Sequence, residues 1–244
     1  MERLTKREME ILKLILQSAS EGRKLFALLL DPEKTALSGL AQRTAGADLV
    51  LVGGSTGGGS TPLVEALHAQ TEQPVVLFPG SIEQFCPTAD ALLFLSVMSS
   101  DNPEMLLHRQ IHAARKVYES GIESIATGYI LIDGGTESAV ARSSGSRPLD
   151  RDDIQRIADT ATAAELTGKK VIYLEAGSGA KIPVSTDIIR AVRHQISVPL
   201  IVGGGICSRE MMEAAFEAGA DIVVVGNHLE QHPEQIALFT GRKE

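Results

Sequence analysis

The sequence predicts an α/β protein in which eight parallel strands alternate with helices and close into one (β/α)8 barrel spanning residues 1–244. The predicted strands are short apolar runs without helical spacing, which is typical of parallel strands buried on both faces. Glycines or carboxylates follow most of these runs, and a TIM barrel collects the carboxyl ends of its strands on one face. A doubly wound open sheet is the alternative that these patterns leave open.

The composition excludes several classes of protein. Of the 244 residues, 43% are hydrophobic, which is enough for a large core, and the net charge of −8 argues against a nucleic-acid-binding surface. The two cysteines, Cys86 and Cys207, have neither disulfide nor metal-site spacing, which suits a reducing compartment. Because no stretch approaches the roughly 20 apolar residues of a membrane span, we expect a cytoplasmic protein.

The residues before the first strand predict an amphipathic helix packed on the barrel. Basic residues ahead of the apolar run 11–16 resemble a short export signal, but Lys13 interrupts the run and Glu8 and Glu10 lie close by. The apolar positions instead follow helical spacing. They are Met9, Leu12, Leu16 and Ala19 on one stripe, with Ile15 beside it.

Strands and helices alternate along the rest of the chain. The strands are predicted at 25–30, 48–52, 75–78, 91–97, 124–132, 171–174, 200–202 and 222–225. The helices are predicted at 35–45, 62–70, 103–120, 152–167, 185–195 and 208–218. Gly46 ends the first of these helices, and Pro62 suits the first turn of the second.

The alternation fails after the third strand. Only residues 82–88 separate it from the fourth, which is too few for a crossover helix. The sequence therefore predicts a modified barrel that lacks the helix after strand 3. The glycine- and serine-rich stretch 133–148 predicts a long loop, whose Arg142 and Arg147 are either solvated charges or groups that close over an anion.

The strand ends carry the candidate chemistry. Glu175 follows a buried strand and precedes Ala-Gly-Ser-Gly, so a carboxylate stands beside backbone that a ligand can approach closely. The glycines at 203–205 and the pair Gly226-Asn227 follow strands seven and eight, where barrels commonly form a phosphate cradle from backbone amides. The run 53–61 is also glycine-rich but lacks the lysine of a P-loop.

Asp31 and Ser55 are hard oxygen donors at two adjacent strand ends. Together with a diphosphate they suit Mg²⁺, which takes few protein ligands and several substrate oxygens. Asp31 as a simple helix-start residue before Pro32 is the alternative.

Five segments together resemble the geranylgeranylglyceryl phosphate synthase family, in the branch that carries Glu-Ala-Gly-Ser-Gly. The resemblance covers the chain from Phe26 to Asn227 and implies a barrel in which an extended segment replaces the third helix. The segments are Leu-Leu-Asp-Pro-Glu-Lys (29–34), Val-Gly-Gly-Ser (52–55), Tyr-Leu-Glu-Ala-Gly-Ser-Gly (173–179), Val-Gly-Gly-Gly-Ile (202–206) and Val-Gly-Asn (225–227).

The resemblance implies a prenyltransferase that joins sn-glycerol 1-phosphate to a polyprenyl diphosphate, here geranylgeranyl diphosphate, in ether-lipid synthesis. It implies that Asp31 and Ser55 bind Mg²⁺ and that Glu175 deprotonates the attacking hydroxyl. It also implies a homo-oligomer and peripheral contact with a membrane. The residues implied to hold glycerol phosphate are Tyr173, Leu174, Glu175, Ala176, Gly177, Ser178, Gly179, Gly203, Gly204, Gly205, Gly226 and Asn227.

Where heptaprenyl-type members of the family have a lysine two positions before the metal aspartate, this chain has Leu29. We expect the prenyl tail to leave through the gap after strand 3, along Leu93, Phe94 and Leu95. We expect Met105 or Leu106 to stop its end.

Two alternatives remain open from the sequence. A Schiff-base aldolase needs a lysine at a strand's carboxyl end, and Lys181 is the candidate, because Lys169 and Lys170 precede their strand. A noncatalytic phospholigand-binding barrel would bind glycerol phosphate without turning over prenyl diphosphate.

Overall fold

The computed structural model describes residues 10–54, 58–136 and 146–240. The strands of this part of the chain are β1 (Leu25–Leu30), β2 (Leu49–Val52), β3 (Val75–Leu77), β4 (Ala91–Val97), β5 (Glu123–Leu131), β6 (Val171–Glu175), β7 (Leu200–Gly203) and β8 (Ile222–Val225). All are parallel and pair in chain order, and β1 also pairs with β8. The predicted closed barrel is confirmed.

Helices surround this barrel and cover its strands. They are α1 (Glu10–Ser20), α2 (Leu40–Arg43), α3 (Thr61–Gln70), α4 (Arg109–Ser120), α5 (Ile154–Leu166), α6 (Thr186–Gln195), α7 (Arg209–Ala218), α8 (Asn227–Gln231) and α9 (Ile236–Thr240). A π-helical turn, Glu104–His108, leads into α4. Side chains cap α5, α6 and α7: Asp153, Ser185 and Ser208 each accept a backbone N–H of the first turn.

The prediction of a helix over 35–45 is wrong for its first half. The backbone amides of Lys34 and Thr35 both donate to the carbonyl of Asp31, which turns the chain back on itself after β1. Gly39 then has a φ of +71°, a left-handed conformation that no continuous helix passes through. Only the four residues of α2 are helical.

The core has two layers because successive strand residues point to opposite faces. Inward side chains such as Ala27, Leu51 and Ile125 fill the barrel, and outward ones such as Leu28 and Val50 pack under the helices. The near-continuous apolar strands follow from burial on both faces.

The predicted amphipathic helix α1 covers the amino-terminal end of the barrel. Its buried side chains are Ile11, Leu12, Ile15 and Ser18, and the first three pack with the inward layer. The predicted stripe is wrong at Leu16, which is 45% exposed, and Met9 lies outside the described residues. The buried Glu123 at the start of β5 accepts the backbone amides of Ile11 and Leu12 at 2.9 and 2.7 Å, which fastens the start of α1 to the barrel.

The predicted absence of a helix after β3 is confirmed: a single 3₁₀ turn, Ile82–Gln84, lies between β3 and β4. The buried side chain of Gln84 accepts the backbone amide of Gly80 at 2.8 Å and that of Gly54 at 3.5 Å. One amide side chain thus joins the loops after β2 and β3, where the outer layer of the barrel is open.

Candidate functional site

A cavity of about 800 Å³ opens at the carboxyl ends of the strands. One end lies among the loops after β6, β7 and β8, and the loop after β1 borders it because β1 pairs with β8. A long arm leaves the barrel through the gap after β3 and runs between β4 and α4. Apolar side chains line much of the arm, and Arg109, Gln110 and His112 of α4 also contribute to the cavity wall.

Glu175 is the last residue of β6, and its side chain points into this mouth. Its Oε1 accepts the backbone amide of Gly177 at 2.7 Å, which holds the carboxylate in one orientation. Burial raises the pKa of Glu175 to about 7, while the hydrogen bond from Gly177 and the neighbouring Tyr173 hydroxyl oppose that rise. A carboxyl group with a pKa near neutrality can take a proton from a substrate hydroxyl at physiological pH.

Three aromatic rings lie beside Glu175 in the cavity wall. The ring of Tyr173 stacks on Phe78 at 5.1 Å and on Tyr129 at 5.6 Å between centroids. Burial raises the pKa of both tyrosines well above the usual value, and the charge of Glu175 raises it further. The hydroxyl of Tyr173 lies near Glu175 without the geometry of a full hydrogen bond, so this buried hydroxyl can meet a ligand.

The glycines after β6 and β7 let two loops approach each other and Glu175. Gly204 has a φ of +84°, and a Cβ on it would lie 2.3 Å from Oε1 of Glu175 and 2.8 Å from the amide nitrogen of Gly177. A side chain there would displace the carboxylate. Ser178 donates its hydroxyl to Asn227 Oδ1 at 2.9 Å, which connects the loop after β6 with the start of α8.

Asp31 follows β1, next to β8 and the helix α8, and lies in a cluster of charged groups. Its Oδ2 pairs with Lys34 Nζ at 2.7 Å, and its backbone amide donates to Oε1 of Glu230 at 2.8 Å. Lys34 Nζ also lies 3.9 Å from Oε2 of Glu230. The hydrogen bond to Asp31 raises the pKa of Lys34, and burial raises that of Glu230.

The chemistry of this cluster fits a divalent cation. Carboxylate oxygens of Asp31 and Glu230 face one region, and the Lys34 ammonium that lies there shows that the region stabilises positive charge. Within the described ranges, no group of three or more His, Cys, Asp or Glu side chains is placed to hold a metal ion. A site of few protein ligands suits Mg²⁺, which keeps waters and binds substrate phosphates.

Most of the predicted site residues meet at this cavity. Leu174, Ala176 and Gly203 are the exceptions, because they do not contribute to its described wall; Leu174 points outward into the core under the helices. Ser55 and Arg142 lie outside the described residues, and Arg147 is exposed. The predicted residues along the wall are Asp31, Tyr173, Glu175, Gly177, Ser178, Gly179, Gly204, Gly205, Gly226 and Asn227.

The arm of the cavity follows the route predicted for a prenyl tail. Leu93, Phe94 and Leu95 all line the cavity, as does the buried Met105. Leu106 is half-buried and lies outside the described lining, so its predicted contact with the tail's end has no support in this geometry. Val117 of α4 continues the apolar wall.

Sequence reasoning missed Glu230, Lys34 and the helix α8 that carries Glu230. Glu230 contacts Asp31 across almost the whole chain, and no local pattern announces such a contact. Lys34 was visible in the segment 29–34, three residues after Asp31, a spacing at which a lysine can reach back to a carboxylate.

Comparison with known proteins identifies the family. The sequence profile of the PcrB family matches residues 18–240. The chain belongs to this family. Among its PcrB-family relatives, the geranylgeranylglyceryl phosphate synthase of Zunongwangia profunda is 43% identical over 227 residues, which cover 91% of this chain and 97% of the relative. The synthase of Korarchaeum cryptofilum is 38% identical over 229 residues, covering 91% and 94%.

The fold comparison agrees with the sequence comparison. The crystal structure of (S)-3-O-geranylgeranylglyceryl phosphate synthase from Thermoplasma acidophilum, in complex with its substrate sn-glycerol-1-phosphate, matches this PcrB-family chain with a TM-score of 0.88 at 32% identity. The match covers 95% of this chain and 97% of that one. The resemblance drawn from five short segments is confirmed.

Proposed function

We propose that this PcrB-family protein is a prenyltransferase that joins sn-glycerol 1-phosphate to geranylgeranyl diphosphate. The products are 3-O-geranylgeranyl-sn-glyceryl 1-phosphate and diphosphate. The observation that carries the proposal is the buried Glu175 carboxylate, which stands between glycine loops suited to a phosphate and an apolar arm suited to a prenyl tail. The names of its relatives support the same reaction.

The glycine loops after β6, β7 and β8 hold glycerol 1-phosphate in this proposal. Loops after strands seven and eight, with the start of a short additional helix, form phosphate sites in many barrels. Here α8 begins at Asn227 directly after β8, and Ser178 bonds to that residue. Backbone amides of these loops neutralise the phosphate, because glycines leave them accessible.

Glu175 takes the proton from the hydroxyl of glycerol phosphate as that oxygen attacks the allylic carbon. The ether C–O bond forms, the bond from the allylic carbon to the diphosphate oxygen breaks, and its electron pair leaves with the diphosphate. Because the allylic carbon is strongly electrophilic as the diphosphate departs, a carboxylate with a pKa of about 7 is a sufficient base.

The aromatic rings stabilise the positive charge that develops on the allylic carbon. Ring faces attract cations, and the attraction is stronger where water is excluded. Tyr129 and Tyr173 are almost fully buried and line the cavity next to Glu175. Holding both substrates against this wall contributes further, because it replaces a bimolecular encounter by a fixed geometry.

Dependence on Mg²⁺ is part of the proposal. Asp31 and the Glu230 carboxylate beside it would hold the ion, together with Ser55, which the family resemblance implies as a ligand. When bound, the ion supplies Lewis-acid stabilisation of the departing diphosphate. The oxygen donors and the few protein ligands of this cluster support the assignment.

The experiment is a direct assay of product formation. Purified protein is incubated with labelled sn-glycerol 1-phosphate, with Mg²⁺ or with EDTA, and with prenyl diphosphates of several lengths. We expect the ether product with geranylgeranyl diphosphate and Mg²⁺, and none with EDTA. Absence of product with every prenyl diphosphate would contradict the proposed prenyltransferase activity. Undiminished product formation in EDTA would contradict its dependence on Mg²⁺.

We also propose that the protein forms a homo-oligomer through the outer face of α4 and the turn before it. Leu107, Ile111, Ala114 and Tyr118 are exposed and follow the alternating spacing of three and four residues by which two helices pair. Such a stripe is complementary to itself across a two-fold axis, so a second copy of this chain is the partner that fits it. We expect Ile111→Arg to lower the mass measured by light scattering, whereas Leu238→Arg, on the exposed face of α9, leaves it unchanged.

Contact with a membrane is the competing use of the α4 stripe. The wild-type protein would then sediment with lipid vesicles, and Ile111→Arg would abolish this sedimentation without changing the mass of the protein in solution. That result would show that the stripe binds a bilayer. In the described part of the chain, no helix combines the length and apolar content needed to cross a membrane.

Cys86 and Cys207 are both free thiols, which supports the proposal that the reaction takes place in the reducing cytoplasm.

A further inference from the structure

We infer that Lys34 is a mobile countercharge. It occupies the Asp31–Glu230 carboxylate pair while no divalent cation is bound and turns to the diphosphate of the substrate when a cation takes its place. The inference rests on the proposed function for the identity of the diphosphate substrate. It concerns a residue to which the family resemblance gave no role.

The carboxylates of this pair are fixed in place. The Asp31 side chain is 10% exposed, and its Oδ1 accepts the backbone amide of Glu33 at 3.0 Å. Glu230 is 11% exposed, and its Oε1 accepts the backbone amide of Asp31 at 2.8 Å. A Cβ on Gly54 would lie 2.9 Å from Asp31 Oδ1, so the backbone of the neighbouring loop closes the other side. Two carboxylates held this closely need a nearby positive charge.

Lys34 supplies that charge from a mobile side chain. The side chain is 60% exposed, although its ammonium lies 2.7 Å from Asp31 Oδ2. It follows a short turn after β1 and lines the same cavity as Asp31 and Glu175. An exposed lysine stem has many rotamers, and one ion pair in water stabilises any single rotamer only weakly. Lys34 can therefore move without disturbing the fold.

Lys34 and a divalent cation compete for the same carboxylate oxygens. With a cation in place, the ammonium is repelled from Asp31, and the negative charge of a diphosphate bound nearby attracts it. Lysine commonly binds phosphate in this way, as a flexible point charge. Lys34 thus weakens cation binding in the free protein and strengthens diphosphate binding in the loaded one.

Replacing Lys34 should therefore change two affinities in opposite directions. In Lys34→Met we expect the free protein to bind Mn²⁺ more tightly by roughly threefold to tenfold, the range of a partly exposed ion pair. We expect the affinity for inorganic pyrophosphate at saturating Mn²⁺ to fall by a similar factor. Electron paramagnetic resonance of free Mn²⁺ measures the first and titration calorimetry the second. Neither measurement requires turnover, so a failure of the proposed reaction would remain distinguishable.

Lys34→Arg and Lys170→Met complete the experiment. Arginine keeps the charge and its planar fork holds a carboxylate in two hydrogen bonds, so Mn²⁺ affinity should decrease in the order Met, Lys, Arg at position 34. Lys170, an exposed lysine just before β6, controls for the change in net charge and should leave both affinities unchanged. If Lys34→Met lowered the affinities for Mn²⁺ and for pyrophosphate together, the role of Lys34 would be only to stabilise the loop after β1. An unchanged pyrophosphate affinity would equally overturn the exchange.

Discussion

Two buried glutamates lie at opposite ends of the barrel and are used in opposite ways. Glu123, at the start of β5, receives two backbone amides of α1 on its two oxygens. Glu175, at the end of β6, receives one backbone amide, and burial raises its pKa to about 7. The two side chains are equally buried, with 6% and 7% of each residue exposed. Burial alone therefore does not decide whether a carboxylate is structural or reactive.

The number of hydrogen-bond donors makes the difference. At the amino-terminal end of the barrel, Asp48, Asp90 and Asp221 also accept backbone amides near the starts of neighbouring strands. These carboxylates compensate amide groups that the strands leave unpaired. At the carboxyl end, Glu175 accepts a single backbone amide and lines the cavity among glycine-rich loops. The amino-terminal end of the barrel stabilises the fold, and the carboxyl end carries the proposed reaction.

The largest expected effect is on turnover at the reactive end. Glu175→Gln keeps the size of the side chain but removes the base, so we expect turnover to fall by roughly 10²-fold to 10³-fold. The affinity for glycerol 1-phosphate, measured by calorimetry, should stay within a few-fold. The matched Glu123→Gln variant should keep its turnover within about twofold. Equal losses of turnover in the two variants would contradict the different roles assigned to Glu175 and Glu123.

The next effect is on stability at the other end. Glu123→Ala leaves two buried amides of α1 without an acceptor, which should lower the free energy of unfolding by about 3 kcal/mol. Urea denaturation followed by circular dichroism measures the change. Glu123→Gln, which keeps one acceptor oxygen, should lose about half as much. A loss below about 0.5 kcal/mol in Glu123→Ala would show that α1 is held by apolar packing alone.

Glu175→Gln should change stability with the opposite sign, and only at high pH. The folded state raises the pKa of Glu175 from 4.5 to about 7, so it prefers the protonated form. Its contribution to stability is full below pH 4.5 and is lost as pH rises through 7. At pH 8 the glutamine variant should be more stable than the wild type by on the order of 3 kcal/mol. At pH 4 the two should unfold at the same urea concentration, and a difference that does not vary with pH would contradict the shifted pKa.

The smallest effect concerns the ring beside Glu175. The Tyr173 hydroxyl lowers the pKa of Glu175, so Tyr173→Phe should move the rising limb of the pH profile upward. In wild type kcat/KM should rise with pH around a midpoint near 7, and in the variant the midpoint should lie at a higher pH. Ionisation of the substrate phosphate is common to both enzymes, so their difference isolates Glu175. A lower midpoint of the pH profile in the variant would mean that the Tyr173 hydroxyl stabilises the protonated form of Glu175.

Local patterns predicted the barrel, and they singled out Glu175, which lies in the cavity wall. Apolar runs gave the strands, the short spacing 82–88 gave the missing helix, and Glu175 stood out because glycines follow it in sequence. The structural end was not predicted. Glu123 meets Ile11 across 112 positions, and Glu230 meets Asp31 across 199. Contacts over such separations depend on how the barrel closes, which no local periodicity encodes.

The two errors in the predicted helices have different physical causes. Residues 35–39 are Thr-Ala-Leu-Ser-Gly, in which threonine, serine and glycine are weak helix formers. The chain also turns back onto the Asp31 carbonyl before a helix can begin. The apolar stripe of α1 differs from the predicted one because the end of the barrel buries Ile11 and Ile15 and leaves Leu16 exposed. The first error therefore has a local cause, whereas in α1 the packing against the barrel overrode a local preference.

The contact between Asp31 and Glu230 has a consequence for synthesis of the protein on the ribosome. The chain emerges from its amino terminus, so Asp31 is made 199 residues before the group that receives its backbone amide. At about 5–20 residues per second, this delay lasts roughly 10–40 s. Nascent chains can pair their early strands during that time, but they lack the second carboxylate beside Asp31. The charged cluster is completed only when synthesis is nearly finished, so incomplete chains do not present it.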